Sequence, residues 1–366
     1  MTKANPKNER IKRDYLIYLK QARGRSTASI DTVAKAISRF EDATGARDFA
    51  AFHREQVVAF KRRLSDQTNV RSGERLSRAT VASTLRTLKA FYIWLADQPG
   101  YRSKITYADA DYFSPSEKDA RIARAVREKP FPTLEQMHHV LATMPGDTEI
   151  ERRDRAIVAL LLLTGARDGA LASLRLKHLD LAAGALRQDA EEVKTKFAKT
   201  FTTYFFPVGG EAVEIIGEWV TYLRRDRLFG DNDPLFPRTL MTTGQDGGFV
   251  TAGIDRQPWT TAAPIRQLFR KAFEQAGQPY FNPHSIRDTL VQLGERTCRS
   301  PEEFKAWSQN LGHEQVLTTF TSYGTVGAHR QAELIRGLGR TSRPDQAVAD
   351  LLRAALAQVG GERPSA

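Results

Sequence analysis

The sequence predicts a mainly α-helical protein with a small antiparallel β-sheet, an α+β fold, made of a helical N-terminal domain and a larger C-terminal domain. Three observations predict this. A chain of 366 residues exceeds one compact core of ordinary size, so two domains are expected. Apolar residues recur at helical spacing over residues 8–96 and again from Thr133 onward, whereas β-rich stretches are confined to residues 185–206. Charge is distributed unevenly: of a net +12, the first 100 residues carry 20 basic against 10 acidic side chains. Such a basic excess suits a polyanion, nucleic acid above all.

Four helices are predicted in residues 8–96. The first places Ile11, Tyr15 and Tyr18 on one face. The second starts near Ser26 or Thr27, with Ile30, Val33, Ile37 and Phe40 as its stripe, and the third carries Phe52, Val57, Phe60 and Leu64. The fourth opens after Ser77, a good N-cap, and runs to about Ala96. Its apolar face is Val81, Leu85, Leu88, Tyr92 and Leu95. Arg75, Arg78, Arg86 and Lys89 form another face, and the lead-in adds Arg71, which is what a helix lying against a phosphate backbone needs.

Residues 1–100 are therefore taken as the first domain. Residues 101–131, without clear periodicity and closing on Pro130 and Pro132, are expected to be a linker with at most one short helix. The second domain spans 132–340. It opens with a helix capped by Thr133, followed by a helix over 149–164 that Gly165 stops. Short strands follow around 185–206, then helices over 211–229, 261–276 and 284–297, with GQDGGFVTAG expected as a loose loop. A tail, 341–366, holds one short apolar helix, Ala347 to Val359.

Composition excludes several classes. Cys298 is the single cysteine, so no intramolecular disulfide and no cysteine metal cage is expected. The longest clean apolar run, Ala156 to Leu163, is far short of the roughly 20 residues that cross a bilayer. The charged start, MTKANPKNERIKRDYL, is unlike a secretory signal, so a cytoplasmic protein associated with the nucleoid is expected, with no membrane partner.

Four segments of the second domain carry candidate chemistry. In LLLLTGARDGAL, Arg167 stands at the turn after a helix. In EVKTKFAKTFTTYFF, Lys194, Lys196 and Lys199 sit at a turn between strand-like residues, a hairpin tip from which a long cation reaches a ligand. In NPHSIRDTL, Pro283 fixes a helix start, and His284 and Arg287, three apart, share a face suited to an anion. In LGHEQVLTTFTSYG, His313 precedes Tyr323 by ten positions. Tyrosine, with a reference pKa of about 10, attacks only where a base or a cation cluster stabilises phenolate and the negative transition state. Arg167, Arg287, His284, His313 and a hairpin lysine supply that cluster. The sequence shows no Asp/Glu/His spacing for a metal, so phosphoryl transfer without a metal or other cofactor is expected.

TGAR, hairpin lysines, HxxR, LGH and then Tyr, in this order, resemble the tyrosine recombinase (phage integrase) family. His313 lies 26 positions after Arg287, near that family's usual spacing. The resemblance covers about Pro132 to Leu338, and the basic helical region looks like the family's SAM-like core-binding domain. It implies that Tyr323 is the nucleophile, forming a 3′-phosphotyrosyl link and freeing a 5′-hydroxyl. Arg167 and Arg287 hold the non-bridging phosphate oxygens, His313 hydrogen-bonds the phosphate, and His284 assists proton transfer at the tyrosine. Similarity of TKFAKT to the family's Lys-x-x-Lys hairpin makes Lys196 the acid for the leaving oxygen, with Lys199 second and Lys194 third. The implied partner is double-stranded DNA carrying a specific recombination site, bound by four copies of the chain, and the implied activity is site-specific cutting and rejoining without metal or ATP. The alternatives are strand relaxation of the type IB topoisomerase kind and sequence-specific DNA binding without cutting. The chain departs from the family pattern at Ala170, where an acidic residue is frequent, and at Asp288, where histidine is frequent.

Overall fold

The computed structural model describes residues 4–69, 73–125, 129–244 and 246–313, which fall into two compact units meeting between Ala125 and Val126. Three expectations lie outside the described residues: Arg71, Tyr323 and the tail helix Ala347–Val359.

The first unit is helical: α1 (Pro6–Gln21), α2 (Thr27–Thr44), α3 (Arg54–Asp66), α4 (Arg78–Ala96), α5 (Tyr107–Asp111) and α6 (Glu117–Arg124). Its helices start where short polar side chains accept orphan backbone N–H groups. Asn5 accepts from Lys7 N, Ser26 from Ser29 N and Ser77 from Thr80 N, each cap contributing about 1 kcal/mol. The predicted stripe of α4 is buried as expected, and Phe91 joins it. The core is aromatic, with Phe40 edge-on to Phe60 at 5.1 Å and Tyr92 against Phe113 at 4.8 Å.

Phe113 corrects the linker expectation. Residues 101–125 belong to this unit, and Ile105, Ala110 and Phe113 are all buried in its core. Thr106 and Asp109 form a capping box at α5, and Lys61 Nζ donates to the carbonyls of Tyr112 and Ser114. The segment reads as a linker because its buried apolar residues, Ile105, Ala110 and Phe113, lie on and beside a single five-residue helix, too short to produce a period.

The second unit is built round α8 (Glu149–Thr164). Ala156 through Leu163 are all buried, so this helix is apolar all round, as a central core helix is. Before it comes α7 (Leu134–Thr143), and after it the short α9 (Asp168–Leu171). Strands β1 (Leu179–Asp180), β2 (Ala185–Gln188) and β3 (Phe201–Tyr204) form an antiparallel sheet in that order. Next are α10 (Gly210–Arg225), β4 (Pro237–Thr243), β5 (Phe249–Pro258), α11 (Ala263–Gln275), α12 (Ile286–Thr297) and α13 (Pro301–Asn310). Among the described residues no helix is long and apolar enough to cross a membrane.

The expected loose loop GQDGGFVTAG is instead the tip and second strand of a hairpin. β4 and β5 pair antiparallel, Thr243 opposite Phe249, and the turn is closed by Gly244 N donating to Gly248 O at 2.7 Å. Most of its residues are exposed on both faces, Phe249 by 81%, so no alternation exists to read. Its base is pinned to α8: Ile254 N donates to Glu149 Oε1 at 2.9 Å, and buried Arg153 donates to Pro237 O at 3.0 Å. Gly253, at φ +119°, is required there, because an added Cβ would stand 2.0 Å from Glu149 Oε1.

Candidate active site

The end of α8 shapes the site. Gly165 takes the left-handed conformation at φ +58° and caps the helix through its N–H to Leu161 O. Space also demands glycine, since an added Cβ would meet Leu290 Cδ1 at 2.9 Å and Leu311 Cδ2 at 3.0 Å. The turn delivers Arg167, half-buried, to the residue before α9, and burial lowers its pKa. Asp168, next in the chain, accepts from Arg266 Nε of α11 at 2.6 Å.

Arg287, in the first turn of α12, is only 3% exposed. Its fork donates to Gly165 O at 2.7 Å and to Leu311 O at 2.6 Å, joining the TGAR turn to the LGH turn. The same Nη2 lies 2.9 Å from His313 Nε2. Guanidinium nitrogens only donate, so His313 Nε2 accepts, and the neutral ring carries its hydrogen on Nδ1. Burial and then the charges of Arg287 and Arg167 push His313 down to about 4, which keeps it neutral near pH 7.

His284 sits in a single 3-10 turn, Pro283–Ser285, that runs directly into α12 and starts on Asn282. The residue is exposed, and its backbone N–H donates to Asn282 Oδ1 at 3.0 Å. Desolvation, then Arg287 and Arg167, lower its pKa, Asp168 opposes them and Lys196 adds to them. Both arginines therefore act on both histidines.

The LGH turn is fixed from the sheet side. Gly312 is left-handed at φ +72°, and a Cβ there would meet the Phe201 ring at 2.8 Å. Asn310 accepts from Tyr204 N at 2.7 Å and donates to Tyr204 O at 2.8 Å, as a strand neighbour would. Trp307 Nε1 donates to Leu290 O at 2.9 Å, and the ring packs on Phe206 at 4.7 Å. Trp307 is thus a packing residue.

The lysines sit, as expected, in the connection of a β-hairpin, between the antiparallel strands β2 and β3. A long connection, residues 189–200, separates β2 from β3 and contains a 3-10 turn over Lys196–Ala198. Lys194 Nζ is engaged with Thr260 O at 2.9 Å. Lys196 adds charge to the surroundings of His284, and Lys199 to those of His313.

The structure thus brings Arg167, Arg287, His284 and His313 together, with Lys196 and Lys199 alongside. The cations predicted on and just before α4 are partly engaged: Arg75, ahead of the helix, with Asp66 at 3.7 Å, Arg78 with Asp119 at 3.3 Å, and Lys89 with Asp111 at 2.8 Å. Arg86 is exposed. Sequence reasoning missed Asn310, Ser173 and the Asp168–Arg266 pair, whose partners are remote in the chain. It also missed α13, although Ser300, Pro301 and Glu303 spell a capping box with proline at the first helical position.

A helical N-terminal unit followed by a unit that gathers two arginines and two histidines at one turn cluster is the arrangement of a tyrosine recombinase, an enzyme that cleaves and rejoins DNA. The chain belongs to the phage integrase family, whose model matches residues 131–329, while the phage integrase, N-terminal SAM-like domain matches residues 13–99. It is similar to tyrosine recombinase XerC of Halalkalibacterium halodurans, 22% identical over 332 residues that cover 90% of this chain and 96% of that one. Among solved structures, a lambda integrase(75-356) dimer bound to a COC′ core site has a TM-score of 0.60 at 14% identity, over 87% of this chain and 96% of that one. A lambda integrase tetramer bound to a Holliday junction has a TM-score of 0.53 at 14% identity, over 84% and 77%. These structures share the fold.

Proposed function

We propose that this protein is a site-specific DNA recombinase that works through a covalent 3′-phosphotyrosyl intermediate. The phenol oxygen of Tyr323 attacks the scissile phosphorus, and the bond from phosphorus to the 5′-oxygen breaks. The phenolic proton passes to His284, and the leaving 5′-oxygen takes a proton from Lys196, with Lys199 the alternative. Arg167 and Arg287 hold the non-bridging oxygens, and His313 donates Nδ1–H to one of them. The freed 5′-hydroxyl of a second strand reverses the step. One phosphodiester replaces another of similar energy, so neither ATP nor a metal is required, and fixed cations stabilise the transition state.

The observation that carries this reading is the Arg287 fork holding His313 Nε2 at 2.9 Å, with the charges of Arg167 and Arg287 acting on both His313 and His284. A neutral His284 is able to accept a proton, and a neutral His313 held by Arg287 presents a hydrogen to an anion. Engaged with Thr260, Lys194 is the weakest of the three lysine candidates. The partner in this reading is duplex DNA with a specific site, bound by four copies during strand exchange. Phosphate contacts from both units, Arg75, Arg78, Arg86 and Lys89 among them, give affinity and salt dependence.

A duplex nicked beside the cleavage site traps the adduct, because the short 5′ product diffuses away. With chelator present, the wild-type protein forms a covalent adduct, and Tyr323→Phe binds the duplex without forming one. Exchange between two sites, with no relaxation of a one-site supercoil, separates recombinase from topoisomerase. Binding with no adduct in any substrate would leave a DNA-binding protein.

A further inference from the structure

Glu192 lies just before the lysine segment and is tied to a part of the fold that the proposed chemistry does not use. Its Oε2 is 2.8 Å from His178 Nε2 and its Oε1 is 2.8 Å from Lys177 Nζ. His178 is 4% exposed, and its Nδ1 accepts from Arg175 N at 2.9 Å. That bond places the ring hydrogen on Nε2, so His178 donates to Glu192 in a fixed orientation. The hydrogen bonds from Lys177 and His178 hold the Glu192 carboxyl down to about 2. A solvent-exposed ion pair contributes little by itself, so the bond from buried His178 matters more than the pairing with Lys177. A buried imidazole locked by the backbone makes a rigid post.

The chain that follows is stapled step by step. Val193 is buried in the core, and its N–H donates to Asp189 O at 2.7 Å. Lys194 N donates to Ser173 Oγ at 2.9 Å, and Ser173 Oγ donates to Ala170 O at 2.9 Å. Ser173 therefore joins the lysine segment to the short helix α9 that begins right after Arg167. On the far side, Ala190 N donates to Thr200 Oγ1 at 3.0 Å and closes the segment at its base. Residues 195–199, with both candidate lysines, form the arc carried by these staples.

We infer that Glu192, held by His178 and Lys177 and seconded by Ser173, is the positioning residue that sets the lysine arc against Arg167. The inference rests on the proposed role of a lysine as proton donor to the leaving oxygen. A displaced arc delivers the proton poorly while leaving phosphate binding and the attack by Tyr323 intact.

The test compares first-turnover cleavage of two nicked duplexes, one with the natural 5′-oxygen and one with a bridging 5′-sulfur at the scissile phosphate. A thiolate leaves without a proton, so the sulfur substrate bypasses the acid. Glu192→Ala is expected to slow cleavage of the oxygen substrate about 10- to 100-fold, the range for a misplaced catalytic group, with near wild-type cleavage of the sulfur substrate. Glu192→Gln, which keeps an acceptor for His178, is expected to lose less and to be restored likewise. Equal slowing on both substrates, or no slowing on oxygen, overturns the inference. The lysine reading has its own control: if neither Lys196→Ala nor Lys199→Ala is restored by sulfur, that reading fails and takes the inference with it. Restoration of a lysine variant but not of Glu192→Ala sinks the inference alone.

Discussion

The guanidinium of Arg287 donates to the carbonyl oxygen of Gly165 at 2.7 Å, across 122 positions of sequence. This bond ties the turn that ends α8 to the start of α12, and the same fork reaches Leu311 O. The cation cluster is therefore a single hydrogen-bonded knot of three turns, not three loops that happen to converge.

Gly165→Ala is expected to damage this knot twice over. An alanine at φ +58° costs about 1–2 kcal/mol, and its methyl group intrudes on Leu290 and Leu311 for about 1–3 kcal/mol more. Thermal or denaturant unfolding should show a loss of several kcal/mol. A variant as stable as wild type would mean the turn has another way to close.

Arg287→Lys keeps the charge and loses the fork. Two buried carbonyls, Gly165 O and Leu311 O, then share one ammonium, at a cost of about 1–3 kcal/mol. Adduct formation should fall about 100-fold or more, as when an oriented donor to a transition state is removed. Cleavage close to wild type would show that charge alone suffices.

His313 gives a pH signature. In the free protein its pKa is about 4, against about 6.5 for an unfolded chain. As pH falls from about 6.5 through 4 the unfolded chain takes up the proton first, so this group's contribution to stability declines over that window. A bound phosphate offsets the arginine charges and raises the pKa, so DNA affinity should gain from this group as pH falls over the same window. Affinity measured from pH 7 to pH 5, wild type against His313→Gln, checks it. Identical pH profiles would contradict a phosphate contact at His313.

Arg86 and Arg78 lie on one helix but differ in engagement, since Arg78 already meets Asp119 at 3.3 Å. Arg86→Ala should lower the slope of log affinity against log salt by about one, the effect of one lost phosphate contact. Arg78→Ala should lower it less. Equal slopes for wild type and Arg86→Ala would remove that residue from the interface.

Much of this was legible in residues whose local pattern is strong. The stripe of α4, the Gly165 stop, the Pro283 start and the HxxR face all announce themselves within one or two turns of chain. The β4–β5 hairpin was not legible, because strands exposed on both faces carry no alternation. Residues 101–125 hid for a related reason, with Ile105 and Phe113 as isolated anchors for short helices. The lysines were legible as the connection of a hairpin, but the long arc they form was not, since its shape depends on Ser173, His178 and Thr260, which no local pattern reveals. Asn310, mimicking a strand across 106 positions, left no sequence signal at all.

In the proposed mechanism a single tyrosine takes the DNA strand, and peptide mapping identifies it. After trapping on a nicked duplex, nuclease and trypsin digestion should leave a nucleotide on the peptide Ala306–Arg330, whose one tyrosine is Tyr323. Fragmentation placing a 3′-phosphonucleotide on that tyrosine is the predicted result. Its recovery on another residue, or an adduct that persists in Tyr323→Phe, would rule out Tyr323 as the nucleophile.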